Sequence, residues 1–303
     1  MKYLIVGAGG TGGCIGAYMS AAGKDVTLIA RGDHLLEMQK HGLKMETIHK
    51  GNYIVHPIKA FDMDHYDGSP DVIFVCVKGY SIDDTILFIK KVANKNTVVI
   101  PILNIYGTGN KIQKQLPELT VTDGCIYVSA NIKEPGVIKM HGDIFKIVYG
   151  VRNPSEYPSV LEEIANDLKE SGITGIISDN IERDCLQKFS YVSPMAACGL
   201  YYGCTAEAMQ KQGEIRDCFV SLIREIELLA NAMGIFFTVD IIPTNLDILD
   251  ALSPTASTSM QRDLSIGKQS EIDGLIFEVV RIGKKVGVPL LNYEKIARKF
   301  GFN

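Results

Sequence analysis

The chain lacks any apolar run near the roughly 20 residues that a membrane-spanning helix needs, so no helical membrane anchor is expected. It also lacks a surplus of positive charge: 31 Lys and Arg stand against 35 Asp and Glu, for a net charge of −4. A nucleic-acid surface would need a basic face, and the sequence offers none. Cysteine is scarce and unpatterned. The seven (Cys14, Cys76, Cys125, Cys185, Cys198, Cys204, Cys218) form no CxxC pair, which argues against a metal site and for reduced thiols. No export signal precedes the first apolar run, so a cytoplasmic protein is expected. Histidine is missing from the second half, all six lying at or before His141. Flexible linkers and low-complexity segments are absent as well. What remains is the composition of an ordinary globular protein, 46% hydrophobic and 22% charged, whose 303 residues suffice for two domains with their own cores.

The most informative segment begins at once. Tyr3-Leu4-Ile5-Val6 is an apolar run, Gly7-Ala8-Gly9-Gly10-Thr11-Gly12 follows, and small residues continue through Ala17. A second apolar run, 26–30, ends on Arg31. Strand, glycine turn, helix, strand is the order of a dinucleotide-binding unit. Gly7 permits the tight turn, Gly9 lets the backbone approach a pyrophosphate, and Gly12 lets helix and strand pack closely. The helix N-terminus offers N–H groups and a positive dipole end to the phosphates. A site built for NAD carries a carboxylate at the tip of the second strand for the ribose 2′-hydroxyl. That tip reads Ile29-Ala30-Arg31-Gly32, and a guanidinium suits a 2′-phosphate instead. The segment therefore predicts NADP(H), bound by Gly7, Ala8, Gly9, Gly10, Thr11, Gly12 and Arg31.

Strand and helix signals alternate through the first half. Helices are predicted over 32–42 and 81–93, and strands over 43–48, 53–57, 71–77, 97–103, 120–130, 136–141, 145–149 and 174–177. Near Ser178 the period becomes helical. Ile215, Phe219, Leu222, Ile223, Ile226, Leu229 and Ala230 form one stripe; Ile272, Leu275, Ile276, Val279, Val280 and Gly283 form another, ended by Gly287. The expected fold class is α/β: a doubly wound, Rossmann-type domain over 1–178 and an all-α domain over 179–303. Ligands of such sheets bind beyond the strands' carboxyl ends, so a cleft between the domains is the expected site. The helical stripes are compatible with a homodimer and equally with an internal core.

Reduction of a carbonyl needs a proton donor. With no histidine in the helical domain, Lys188 is the candidate, in the mostly apolar stretch 186–194. Burial would lower its pKa and ease proton donation. A snorkelling surface lysine fits the spacing equally well.

With these residues assembled, the chain resembles the ketopantoate reductase (2-dehydropantoate 2-reductase) family over essentially its whole length. Gly7–Gly12 with Ala30-Arg31 is similar to the family's NADPH turn. Val75-Cys76-Val77-Lys78-Gly79-Tyr80 is similar to its V-K-[AG]-[YW] segment, and Lys188-Phe189 to its W-x-K-[FL] motif, with Leu186 in the aromatic place. Ser257-Thr258-Ser259-Met260-Gln261-Arg262-Asp263 with Glu271-Ile272-Asp273-Gly274 resembles its S-S-M-x-x-D…E-I-D signature. The resemblance implies hydride transfer from NADPH to the C2 carbonyl of a 2-keto acid. Lys188 would be the proton donor and Ser259 the partner of the substrate carboxylate. Glu271 would orient a substrate hydroxyl or hold Lys188 charged. Lys78 would lie near nicotinamide and substrate, and Asn104 would correspond to the asparagine of the family's Q-N-G turn, given two inserted residues.

The chain also departs from the family. Asparagines that follow the catalytic lysine by one and two turns are replaced by Val192 and Ala196, or by Ser193 in another alignment. Pro194 falls within the same helix and should kink it. These changes leave open ketopantoate, another small 2-oxo acid, or a non-catalytic NADP-binding sensor.

Overall fold

The computed structural model describes residues 1–303 except His49, Pro154, Glu156 and Asn303. Its described residues divide into two compact units. The first is Met1–Leu103 with Gly107–Ile181; the second is Asn104–Tyr106 with Glu182–Asn303.

The strands of the first unit are β1 (Lys2–Val6), β2 (Asp25–Ile29), β3 (Leu43–Thr47), β4 (Gly51–Val55), β5 (Lys59–Phe61), β6 (Val72–Val75), β7 (Val98–Pro101), β8 (Thr120–Val121), β9 (Asp123–Glu134), β10 (Val137–Gly150) and β11 (Thr174–Ile177). Six form a wholly parallel sheet in the order β5-β2-β1-β6-β7-β8, the order of a Rossmann-type sheet. Its strands are apolar on both faces because both are covered. Tyr3, Ile5, Val26, Leu28 and Phe74 face α1 (Gly10–Ala21) and α2 (Gly32–His41). Leu4, Val6, Ile73, Val75 and Val99 face α3 (Ile82–Val92) and α4 (Thr108–Gln115).

The remaining strands make a second sheet, β11-β10-β3-β4, with β9 antiparallel to β10. The small residues of α1 explain how one helix serves both sheets. A Cβ at Gly16 would strike Leu28 of β2, and one at Gly13 would come within 2.8 Å of Ile138 on β10. The outer helix α5 (Val160–Glu170) buries Leu161, Ile164 and Leu168 completely. Two expectations fail here. Residues 120–130 are not one strand: the chain switches sheets at Thr122, leaving β8 in the parallel sheet and starting β9 in the other. Residues 136–149 are not two strands: β10 is continuous, and a register shift between His141 and Lys146 absorbs the irregularity at Gly142, whose φ is +82.

The second unit contains α6 (Ile181–Tyr202), α7 (Ala206–Gln210), α8 (Glu214–Ala232), α9 (Ile241–Asp250), α10 (Ser259–Ser265), a π-helical turn (Asp273–Phe277), α11 (Glu278–Val286) and α12 (Leu291–Lys299). The α8 stripe Phe219, Leu222, Ile223 and Ile226 is fully buried, each side chain contributing about 1.5–3 kcal/mol of transfer free energy. Gly287 ends α11 in the left-handed conformation at φ +75, as expected. Glu225, buried on α8, accepts from the backbone N–H groups of Asn292 (2.7 Å) and Tyr293 (3.0 Å) and so caps α12 from outside. Among the described residues no helix is long and apolar enough to cross a membrane.

Candidate active site

In the first unit the glycine turn leaves the carboxyl end of β1 and enters α1 at Gly10, with Gly9 as N-cap. Gly7 has φ +98, a conformation that side chains disfavour. A Cβ at Gly12 would collide with the Gly7 carbonyl, whereas one at Gly9 would meet nothing within 4 Å. Packing is thus close at Gly12 and open at Gly9. No side chain caps the helix and its first turn carries no acidic residue, so its positive dipole end is not neutralised locally. Gly10 lies against the backbone of β9 at Ala130.

The turn is held from beneath. The N–H groups of Gly7 and Ala8 both donate to the Ile29 carbonyl at the end of β2 (3.1 and 2.9 Å). The Ala8 carbonyl contacts His34 Nε2 at 2.9 Å, and His34 Nδ1 accepts from the Gly136 N–H at 2.9 Å. Burial pushes the His34 pKa below its ordinary value, with the Ala8 bond acting in the opposite direction. This histidine was not among the sequence-derived candidates, and Gly136 lies 102 residues away from it. Burial pushes the nearby Cys14 thiol up to about 12 and raises that of Cys76 as well.

Arg31 is exposed at the start of α2. Lys78, half-buried, follows β6 and opens a short 3₁₀ turn, Gly79–Ser81. Since β1, β2 and β6 are parallel neighbours, the glycine turn, Arg31 and Lys78 all leave the same edge of the sheet.

In the second unit Lys188 is half-buried on α6 and donates from Nζ to Asn104 Oδ1 at 2.7 Å. Asn104 stands beside Ile105, whose side chain occupies the space that a Cβ on Gly274 would need, and beside Tyr106, whose ring lies 6.2 Å from that of Phe189. Residues distant in sequence thus seat the carboxamide next to Lys188. Ser259 is the first residue of α10. Thr258, not Ser259, is the cap, in a reciprocal capping box with Gln261. Glu271 is buried, and its carbonyl accepts from the N–H of Leu275 at the π-helical turn.

The replaced asparagine positions differ from one another. Val192 is half-buried and Ala196 fully buried. Ser193 is committed elsewhere: it donates to the Leu275 carbonyl (2.6 Å) and accepts from the Tyr293 hydroxyl (2.6 Å). Pro194 removes the N–H that would serve the Ser190 carbonyl, and the buried Asn245 side chain of α9 supplies a substitute at 3.1 Å.

The family model described as Ketopantoate reductase PanE/ApbA matches residues 3–154, and its C-terminal counterpart matches residues 180–301. The chain is 27% identical over 298 residues to the "Uncharacterized oxidoreductase YkpB" of Bacillus subtilis, covering 95% of this chain and 94% of that one. It is also 27% identical over 298 residues to a 2-dehydropantoate 2-reductase of Pyrococcus horikoshii, covering 95% and 92%. Two solved structures share the fold: a PanE/ApbA family ketopantoate reductase from Ralstonia eutropha JMP134 (TM-score 0.89, 24% identity, covering 99% of this chain and 97% of that one) and a D-mandelate dehydrogenase with NADH and anilino(oxo)acetate (TM-score 0.88, 21% identity, covering 98% and 96%). With both halves matched, the chain belongs to the ketopantoate reductase family, nicotinamide-dependent oxidoreductases that act on CH–OH and C=O groups.

Proposed function

We propose that the protein reduces a 2-keto acid with NADPH, ketopantoate first among such acids, giving pantoate on the cytoplasmic route to coenzyme A. The observation carrying this reading is the 2.7 Å bond from Lys188 Nζ to Asn104 Oδ1. A carboxamide oxygen only accepts, so it favours the ammonium form without offering a base that would remove the proton. An ammonium held this way can donate to a substrate carbonyl and stabilise the developing oxyanion. Residues 1–178 would serve the nucleotide and 179–303 the substrate. Gly7, Ala8, Gly9, Gly10, Thr11 and Gly12 would hold the pyrophosphate and Arg31 the 2′-phosphate; bound NADPH supplies the hydride. Ser259 would bond the substrate carboxylate, Glu271 would orient a substrate hydroxyl or keep Lys188 charged, and Lys78 would add positive charge beside nicotinamide and substrate. Relatives named 2-dehydropantoate 2-reductase favour ketopantoate.

The commitment of Ser193 to Leu275 and Tyr293, together with Val192 and Ala196, favours a second reading in which a less hydroxylated 2-oxo acid is preferred. Steady-state NADPH oxidation with ketopantoate and a panel of 2-oxo acids separates the two. Lys188→Ala is expected to lower kcat by about 10²–10⁴-fold. Unchanged turnover in that variant would remove Lys188 from the chemistry, and silence of the wild-type protein across the panel would remove the reductase reading.

A further inference from the structure

His34 is the residue that ties together three segments of the first unit. It lies in the first turn of α2, three residues after Arg31. Its two ring nitrogens have distinct tasks. Nδ1 accepts from the Gly136 N–H and so carries no proton; the single ring hydrogen is therefore on Nε2, donated to the Ala8 carbonyl. One neutral tautomer satisfies both bonds, and the burial that lowers the pKa of His34 favours it.

The Ala8 carbonyl belongs to the peptide that also carries the Gly9 N–H. A trans peptide is planar, with C=O and N–H pointing oppositely. Fixing the carbonyl against His34 therefore aims the Gly9 N–H away from the ring. The preceding peptide is fixed as well, through the Ala8 N–H on the Ile29 carbonyl. Gly9 itself has no side chain to restrain it and open space around it. On its other side the Gly9 carbonyl accepts from the Gly13 N–H at 2.7 Å, so backbone bonds hold both flanking peptides and His34 bonds the peptide between Ala8 and Gly9 itself.

We propose that His34 is a positioning residue for the dinucleotide: by holding the Ala8 carbonyl it sets the direction of the Gly9 N–H toward the pyrophosphate. The proposal rests on the reading of the glycine turn as the NADP(H) site. It assigns His34 to affinity for the cofactor and not to the chemical step. Because the pyrophosphate is common to both nicotinamide cofactors, loss of His34 should weaken NADPH and NADH alike.

The test uses the full-length protein, with Kd for NADPH and NADH from calorimetry, steady-state KM and kcat, and Tm for each variant. A glutamine amide nitrogen can take the place of Nε2 and restore the bond to Ala8, whereas an asparagine oxygen can take the place of Nδ1 and restore only the bond to Gly136. His34→Ala and His34→Asn are expected to weaken both cofactors by about five- to tenfold, the scale of one lost hydrogen bond, with kcat within about twofold. His34→Gln should return affinity to within about threefold of wild type. Equal behaviour of the Gln and Asn variants, unchanged affinity in all of them, or a loss confined to kcat would overturn the proposal. Should His34→Ala fail to fold, the Gln and Asn pair still decides it. Arg31→Ala tests the underlying reading separately, since it should weaken NADPH and spare NADH; a wild-type protein that binds neither cofactor would end both.

Discussion

The Tyr191 hydroxyl is a buried polar atom that meets no protein partner among the described residues. Its ring stands edge-on to Phe219, 6.2 Å between centroids, and burial pushes the phenol up to about 12. A desolvated hydroxyl without a partner costs free energy, so its removal should help the fold. Tyr191→Phe keeps the ring contact and is expected to gain about 1 kcal/mol, read as a raised denaturant midpoint at constant m-value. A lower midpoint would mean that the hydroxyl is paired. At this scale the sequence was readable where chemistry is local. Gly7, Gly9 and Gly12 could be assigned tasks because a tight turn, an open approach and a close packing each need glycine at a fixed spacing, and the geometry at each position matches. Thr258 caps α10 and leaves Ser259 as the first residue of that helix. His34 and Asn245 could not be found this way. Their partners, Gly136 and Ser190, lie 102 and 55 residues distant, and no local pattern encodes such a pairing.

Among the elements, α6 is the instructive one. Pro194 takes a backbone bond out of the helix, and α6 runs through it from Ile181 to Tyr202. The physical reason is a donor from another helix: the Asn245 side chain bonds the Ser190 carbonyl at 3.1 Å and its hydroxyl at 3.0 Å. Asn245→Ala is therefore expected to cost about 1–3 kcal/mol in the natural sequence, because it leaves a buried carbonyl unsatisfied. The same substitution should cost clearly less beside Pro194→Ala, where residue 194 regains its N–H. A double-mutant cycle on unfolding free energies measures the coupling, and additivity within about 0.5 kcal/mol would refute it. The alternation of strands and helices was legible because buried parallel strands are short apolar runs. The switch of sheets at Thr122 was not, since β8 and β9 read as one run and only tertiary pairing separates them.

For the molecule as a whole, the neutral ring of His34 makes stability depend on pH. In the unfolded chain a histidine binds its proton near pH 6.5; in the fold, burial lowers that value, the Ala8 bond working against it. Between the two values the unfolded chain holds more protons. The contribution of His34 is thus complete above about pH 6.5 and is lost as pH falls through that region. The Tm advantage of the wild-type protein over His34→Gln should narrow between about pH 7.5 and about pH 5.5; a constant difference would contradict this linkage. The second consequence concerns recombination. Asn104, Ile105 and Tyr106 follow β7 in the chain but belong to the helical unit, where Asn104 meets Lys188 and Ile105 rests on Gly274. A chimera spliced once, at Ile181, would pair one parent's Lys188 and Gly274 with the other parent's tripeptide. Exchange of the helical half between relatives therefore needs two crossovers more than the linear sequence suggests, so that the three residues travel with the lysine they serve.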